Sequence, residues 1–408
     1  MSDSTSASAG IEVRPFRVEV PEREIEELRR RIDATRWPTR ELVSDRSQGV
    51  QLAAMQELVR YWTSEYDWRK CEARLNALPQ FKTKIDGLNI HFIHVRSPHE
   101  HALPLIMTHG WPGSVVELLD VVAPLTDPTA HGGIPTDAFD LVLPSLPGYG
   151  FSGEPRELGW DAGHIAVAWA ELMNRLGYTR YVAQGGDVGA GVTDAMAIQA
   201  PDGLAGIHLN FLRRPPLEVV AVLLGRAPVP PGLTDAERAA LAAFGAQARK
   251  GYNAEQSQAP QTIGYSLTDS PAGLAAWMLD HDVDSYKKIS RAFVEGHPVG
   301  GLTRDRILDN ITLYWLTNTA TSAARMYWEG ARSTAAAAAA GHAPPEVSLP
   351  VAFTVFPDEI LQAPRSWTEK VYPNLVYFHQ ADRGGHFAAW EEPALFTEEL
   401  RAGFRSLR

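Results

Sequence analysis

Apolar residues at Ile25, Leu28 and Ile32 share one face of a segment that opens on Pro21 and shifts from Glu-rich to Arg-rich. That is the pattern of an amphipathic helix whose charges complement its dipole. Leu52 to Trp68 continues in the same style, with aromatic anchors at Tyr61, Trp62, Tyr66 and Trp68, so residues 1–80 are expected to form a mostly helical segment. At Phe81 the period changes. Phe81 to Ile85 and Leu88 to Val95 alternate around Asp86-Gly87, which predicts a hairpin. Leu103 to Met107 and Phe139 to Leu143 are short unbroken apolar runs, as buried parallel strands require. Helical stretches near 114–123 and 162–177, a strand at Tyr181 to Gln184, a helix from about Val188 and an apolar run at Ile207 to Leu212 complete an alternation that predicts an open α/β sheet over 81–212.

Between 213 and 345 the rhythm breaks. Pro228 to Gly232, several helical stretches and an alanine tract at Ala335 to Ala340 read as a helical lid inserted into the sheet domain, the tract being a helix end or a linker. Strand pattern returns at Val351 to Phe356 and Leu375 to Phe378, and a closing helix from Pro393 to Phe404 finishes a second part of the core over 346–408.

Composition narrows the chemistry. With 408 residues, 45% hydrophobic and 21% charged, the chain has the balance of a globular protein large enough for one core with insertions. A net charge of −11 argues against a nucleic-acid partner, because phosphate binding needs clustered cations. The single cysteine, Cys71, allows no internal disulfide and fits a reducing, cytoplasmic setting. Met1 to Gly10 carries no basic patch before an apolar run, and Val219 to Leu224 is too short to span a bilayer, so no membrane anchor is expected.

The strongest chemical signal is Gln184-Gly185-Gly186-Asp187-Val188-Gly189, where a strand runs into a helix start. It has the shape of a nucleophile elbow, with glycines flanking the raised residue because bulkier side chains would clash. Here the raised residue is Asp187, and a carboxylate attacks sp3 carbon to give an ester that must then be hydrolysed. Three further motifs fall at expected strand ends, where open α/β sheets build their sites. His109-Gly110-Trp111-Pro112-Gly113-Ser114 offers a backbone N–H at Trp111 that can join the N–H of Val188 as an oxyanion hole, with His109 as a supporting loop residue. His386, in Arg383-Gly384-Gly385-His386, occupies the position of a general base. Asp358 and Glu359 both stand where the acid that orients such a base belongs.

Together H-G-W-P-G-S, G-G-D-V-G, F-P-x-E and R-G-G-H-F-A-A-W-E-E-P, in this order, resemble the microsomal-type epoxide hydrolases. The likeness spans nearly the whole chain and includes Thr262 to Ala275 in the lid. It implies an α/β-hydrolase fold wrapped by the amino-terminal segment, no cofactor or metal, and conversion of an epoxide and water to a vicinal diol through an ester on Asp187. By motif it makes His386 the water-activating base, favours Glu359 over Asp358 as the acid, and points to Tyr252 and Tyr327 as the lid tyrosines that hold the epoxide oxygen. Other lid aromatics such as Tyr265, Tyr314 and Trp315 are suited to packing. A haloalkane dehalogenase with the same Asp-His logic and a non-catalytic binding protein on the same fold are the alternatives. A small-molecule epoxide is the expected partner, and a homodimer is allowed; detoxification and a biosynthetic step are both open.

Overall fold

The computed structural model describes residues 12–247, 250–281, 302–340 and 345–408. Among these residues nine strands form one sheet in the order β1-β2-β3-β5-β4-β6-β7-β8-β9. The strands are β1 (Arg14–Phe16), β2 (Gln80–Ile85), β3 (Leu88–Val95), β4 (Leu103–Thr108), β5 (Phe139–Pro144), β6 (Tyr181–Gly185), β7 (Leu204–Leu209), β8 (Val351–Val355) and β9 (Leu375–Gln380). From β1 to β5 the pairs are antiparallel, and from β5 to β9 they are parallel. The predicted hairpin is present, with Ile85 paired to Leu88 and both Asp86 and Gly87 at positive φ, as a type I′ turn needs. Strands β5, β6 and β8 are buried along their whole length, which is why they read as unbroken apolar runs.

Helices Ala162–Arg175 and Asp187–Gln199 pack together against the sheet, and Pro393–Gly403 packs on Leu119–Thr126. The amino-terminal segment differs from expectation in two ways. Arg14–Phe16 is an edge strand on β2, too short to leave a period-two signal in the sequence. The expected continuous helix from Leu52 to Trp68 ends at Ser64, and a new one, Trp68–Asn76, starts where the Asp67 side chain accepts from the Arg69 N–H at 3.0 Å.

Among the described residues the lid carries helices Leu217–Leu223, Asp235–Gln247, Gly251–Gln258, Pro260–Asp269, Pro271–Leu279, Arg304–Thr317 and Ala320–Ala339. The alanine tract is the end of the last of these. The amino-terminal segment clamps the lid through buried polar contacts. Trp62 Nε1 donates to Thr312 Oγ1 at 3.0 Å, and Tyr66 Oη donates to Asp309 Oδ1 at 2.8 Å. Expectations for Met1 to Gly10, and for the lid at 248–249, 282–301 and 341–344, lie outside the described residues. Among the described residues no helix is long and apolar enough to cross a membrane.

Candidate active site

The site begins as backbone geometry. β6 ends at Gly185, Gly186 is extended, and Asp187 opens the next helix at φ +46°, a left-handed conformation that costs a non-glycine residue energy. The glycines are there for closeness. A Cβ on Gly185 would lie 2.2 Å from the Gly189 carbonyl oxygen, and one on Gly189 would lie 2.0 Å from that of Thr108. Thr108 and Gly185 are register partners, so the loop after β4 runs directly beside the elbow. Gly110 lets it pass, since a Cβ there would meet Asp187 Cβ at 2.5 Å.

These contacts bring the backbone N–H of Trp111 to 2.8 Å from Asp187 Oδ1. The Val188 N–H lies in the first turn of its helix, where no intrahelical carbonyl serves it. On the other carboxylate oxygen, Asp187 Oδ2 is 3.3 Å from His386 Nε2. His386 Nδ1 in turn lies 2.5 Å from Glu359 Oε1, which also accepts from the Ile360 N–H at 2.8 Å. Asp358 has a different part: its N–H bonds the Gly384 carbonyl at 3.0 Å, tying the loop after β8 to the loop that carries His386. Glu359 is therefore the carboxylate brought to the histidine. His109 is a loop support, its Nε2 accepting from the Leu146 N–H at 3.1 Å and its Nδ1 facing the Gly110 carbonyl at 3.0 Å. Burial holds its imidazole down to about 4, so it stays neutral.

The lid supplies the roof. Tyr252, 3% exposed, stacks on the Trp111 ring at 5.1 Å between centroids, and Tyr327 meets that ring edge-on at 5.7 Å. The two tyrosine rings lie 6.2 Å apart, nearly perpendicular. Of the other lid aromatics, Tyr314 donates to the Gly113 carbonyl at 2.7 Å and Tyr265 is 71% exposed, so neither joins this cluster.

Electrostatics bind these parts together. Burial alone would raise the Asp187 carboxyl, but the bond to His386, the charges of His386 and His281 and the Trp111 N–H hold it below the usual carboxylate range. Burial opposes a charge on His386, and Glu359 with Asp187 overcomes it, lifting the imidazole well above its ordinary value. Burial, then the Asp187 charge, lifts the Tyr327 phenol well above its ordinary value.

Two residues of the site were not singled out in the sequence. His281 stacks over His386 at 4.8 Å and beside Tyr252 at 5.0 Å. Asp187, His281 and His386 form the one group of three metal-type ligands among the described residues, with ligand atoms within 4.8 Å of one another. Glu117, 9% exposed, sits on the short turn Val115–Leu118, and its carboxyl is pushed up to about 8 by burial and then by the Asp187 charge. Two acids, Glu117 and Asp120, interrupt the apolar run Val115 to Val122, a signal that does not choose between them; His281 follows the helix Pro271–Leu279 with no pattern that marks it.

Comparison with known proteins bears on what this arrangement does. A profile described as epoxide hydrolase N terminus matches residues 13–118, and one described as alpha/beta hydrolase fold matches residues 104–248. A protein of Stigmatella aurantiaca that carries an inferred epoxide hydrolase name is 52% identical over 97% of this chain and 86% of its own length. Epoxide hydrolase 1 of the pig, Sus scrofa, is 36% identical over 95% of this chain and 88% of its own. The structure of Aspergillus niger epoxide hydrolase superposes with a TM-score of 0.82 at 32% identity, covering 98% of each chain. This kinship favours epoxide opening over the dehalogenase and binding-protein alternatives. The chain belongs to the microsomal-type epoxide hydrolases, α/β-hydrolase-fold enzymes that convert an epoxide and water to a vicinal diol through a covalent ester on an aspartate.

Proposed function

We propose that Asp187 is the nucleophile, His386 the base oriented by Glu359, Tyr252 and Tyr327 the ring-opening acids, and the Trp111 and Val188 N–H groups the oxyanion hole. The observation that carries this reading is the division of labour on one carboxylate: Asp187 Oδ1 rests on the Trp111 N–H at 2.8 Å while Oδ2 faces His386 at 3.3 Å. Oδ2 attacks an epoxide carbon, the ring C–O bond breaks, and a lid tyrosine passes its proton to the departing oxygen. A free phenol has a pKa near ~10, and burial with the Asp187 charge raises that of Tyr327 further, so it stays neutral at ordinary pH; alkylation of Asp187 removes the second influence as the alkoxide, a stronger base, takes the proton. Oδ1 is then the ester carbonyl oxygen, already seated on the Trp111 N–H. His386 takes a proton from water, the water oxygen adds to Cγ, and the oxyanion collapses with expulsion of the alkoxide. The imidazolium protonates that alkoxide, and the proton left on Asp187 returns to the tyrosinate. The net reaction is epoxide plus water to diol.

Replacing the base isolates the intermediate. His386→Gln is expected to stop after ring opening and to gain the mass of one substrate on the peptide bearing Asp187. Steady turnover by that variant would remove His386 from its role. The reading extends to a cytoplasmic enzyme, supported by a single buried cysteine and no disulfide. It also includes a homodimer, supported by the exposed apolar side chains of Leu217, Leu223, Leu224 and Val229, with one chain's mass in light scattering as the contrary result.

A further inference from the structure

We propose that Glu117 positions the hydrolytic water, and that the small cavity it shares with Asp187 and His386 is the water's compartment. The inference rests on the roles assigned above to Asp187 and His386.

Four observations converge. First, Glu117 points inward because residue 113 has no side chain: a Cβ on Gly113 would lie 1.5 Å from Glu117 Oε2. Second, among the described residues Glu117 has no cationic partner, and its Oε2 is buried with no hydrogen-bond partner. The Gly110 and Ser114 N–H groups face this carboxyl, yet Oε2 is left without a donor, a cost that a leucine would not carry, so packing alone does not account for it. Third, the carboxyl borders a cavity of about 20 Å³ whose walls include Gln184, Asp187, Asn210, His386 and Trp390. That is room for one water, which needs roughly 10–15 Å³ by this measure and two to four polar neighbours. Trp390, whose indole N–H is also buried without a partner among the described residues, is one of these walls. Fourth, Tyr252 and Tyr327 are not among its walls. Ring opening and hydrolysis thus use different sides of Asp187.

A water in this cavity has two hydrogens and two acceptors, His386 Nε2 and Glu117 Oε2. Engaging both turns an oxygen lone pair toward Asp187 Cγ. On attack, the O–H bond facing His386 breaks, its proton goes to Nε2, and the new bond forms to Cγ. The charge state follows the reaction. Burial and the Asp187 carboxylate together raise the Glu117 carboxyl, and alkylation abolishes the second influence. Glu117 therefore becomes the better acceptor at the stage where the water must be held.

Rapid-quench single-turnover kinetics on an epoxide such as styrene oxide, following ester by intact mass and diol by chromatography, test this with Glu117→Leu and Glu117→Gln. The expected result is unchanged ester formation and ester hydrolysis slowed at least ~10-fold in the leucine variant, the rate equivalent of one hydrogen bond. The glutamine variant, which keeps a carbonyl acceptor, should fall between it and wild type. Glutamine is nearly isosteric, so a selective loss in its second step carries the test even if the leucine variant folds poorly. Hydrolysis at the wild-type rate in both variants, or equal slowing of both steps, overturns the inference. Wild type that forms no ester on Asp187 overturns the underlying reading as well.

Discussion

The proposed nucleophile and the proposed acids that face it are held in place by different physics. Asp187 is fixed by main chain against main chain: Gly185, Gly189 and Gly110 each leave a gap that a single methyl group would close. Tyr252 and Tyr327 are fixed by ring packing on Trp111, on lid helices that the amino-terminal segment clamps through Trp62 and Tyr66. Hard backbone contacts tolerate no change, whereas aromatic packing is adaptable and redundant. The half of the site that must present one atom at one angle uses the first device, and the half that needs two donors over a developing charge uses the second.

This contrast breaks first at the elbow. Gly189→Ala would drive a Cβ to 2.0 Å from the Thr108 carbonyl, so it is expected to lower stability by more than the ~1–3 kcal/mol usual for overpacking and to abolish turnover. Thermal melting and diol assays check this; a stable, active variant would mean the elbow has slack. The double change Tyr252→Phe and Tyr327→Phe comes next. Ring opening should fall on the order of 10²–10⁴-fold while folding is retained, and each single change should cost far less than the double. Single-turnover ester formation is the readout, and a double variant as fast as wild type would remove both tyrosines.

The smallest effect concerns Glu117 and pH. Its folded value of about 8 lies above its ordinary 4.5, so the folded protein holds this proton more tightly than the unfolded chain does. At pH below 4.5 the group is neutral in both states and adds no pH dependence. As pH rises toward 8 the unfolded chain ionises first, and wild type loses stability across that window. Glu117→Leu should lack this loss, so its melting temperature relative to wild type should rise between pH 5 and pH 8. Parallel profiles would mean the carboxyl is not held neutral.

The same contrast explains what the sequence disclosed. Asp187 was legible because its elbow demands glycines at fixed offsets, and His386 because a glycine-rich loop carries it to the end of a parallel sheet. The sheet strands were legible because burial on both faces removes polar residues. Glu359 could not be told from Asp358 by spacing alone; the 2.5 Å contact that brings Glu359 to His386 runs across two loops. Tyr252 and Tyr327 came only through resemblance, since packing tyrosines leave the same trace as reacting ones. His281 and Glu117 depend on tertiary placement by a lid helix and a single short turn, which no local period encodes. Arg14–Phe16 was hidden for a simpler reason, being three residues long.

The most direct test of the central claim is one turnover of an epoxide in oxygen-18 water with enzyme in excess. If Asp187 is the nucleophile, the first diol carries only unlabelled oxygen, and the label is found in the Asp187 carboxylate on peptide analysis. Label in the diol from the first turnover, with none in Asp187, would mean that water attacks the epoxide directly and would contradict the account.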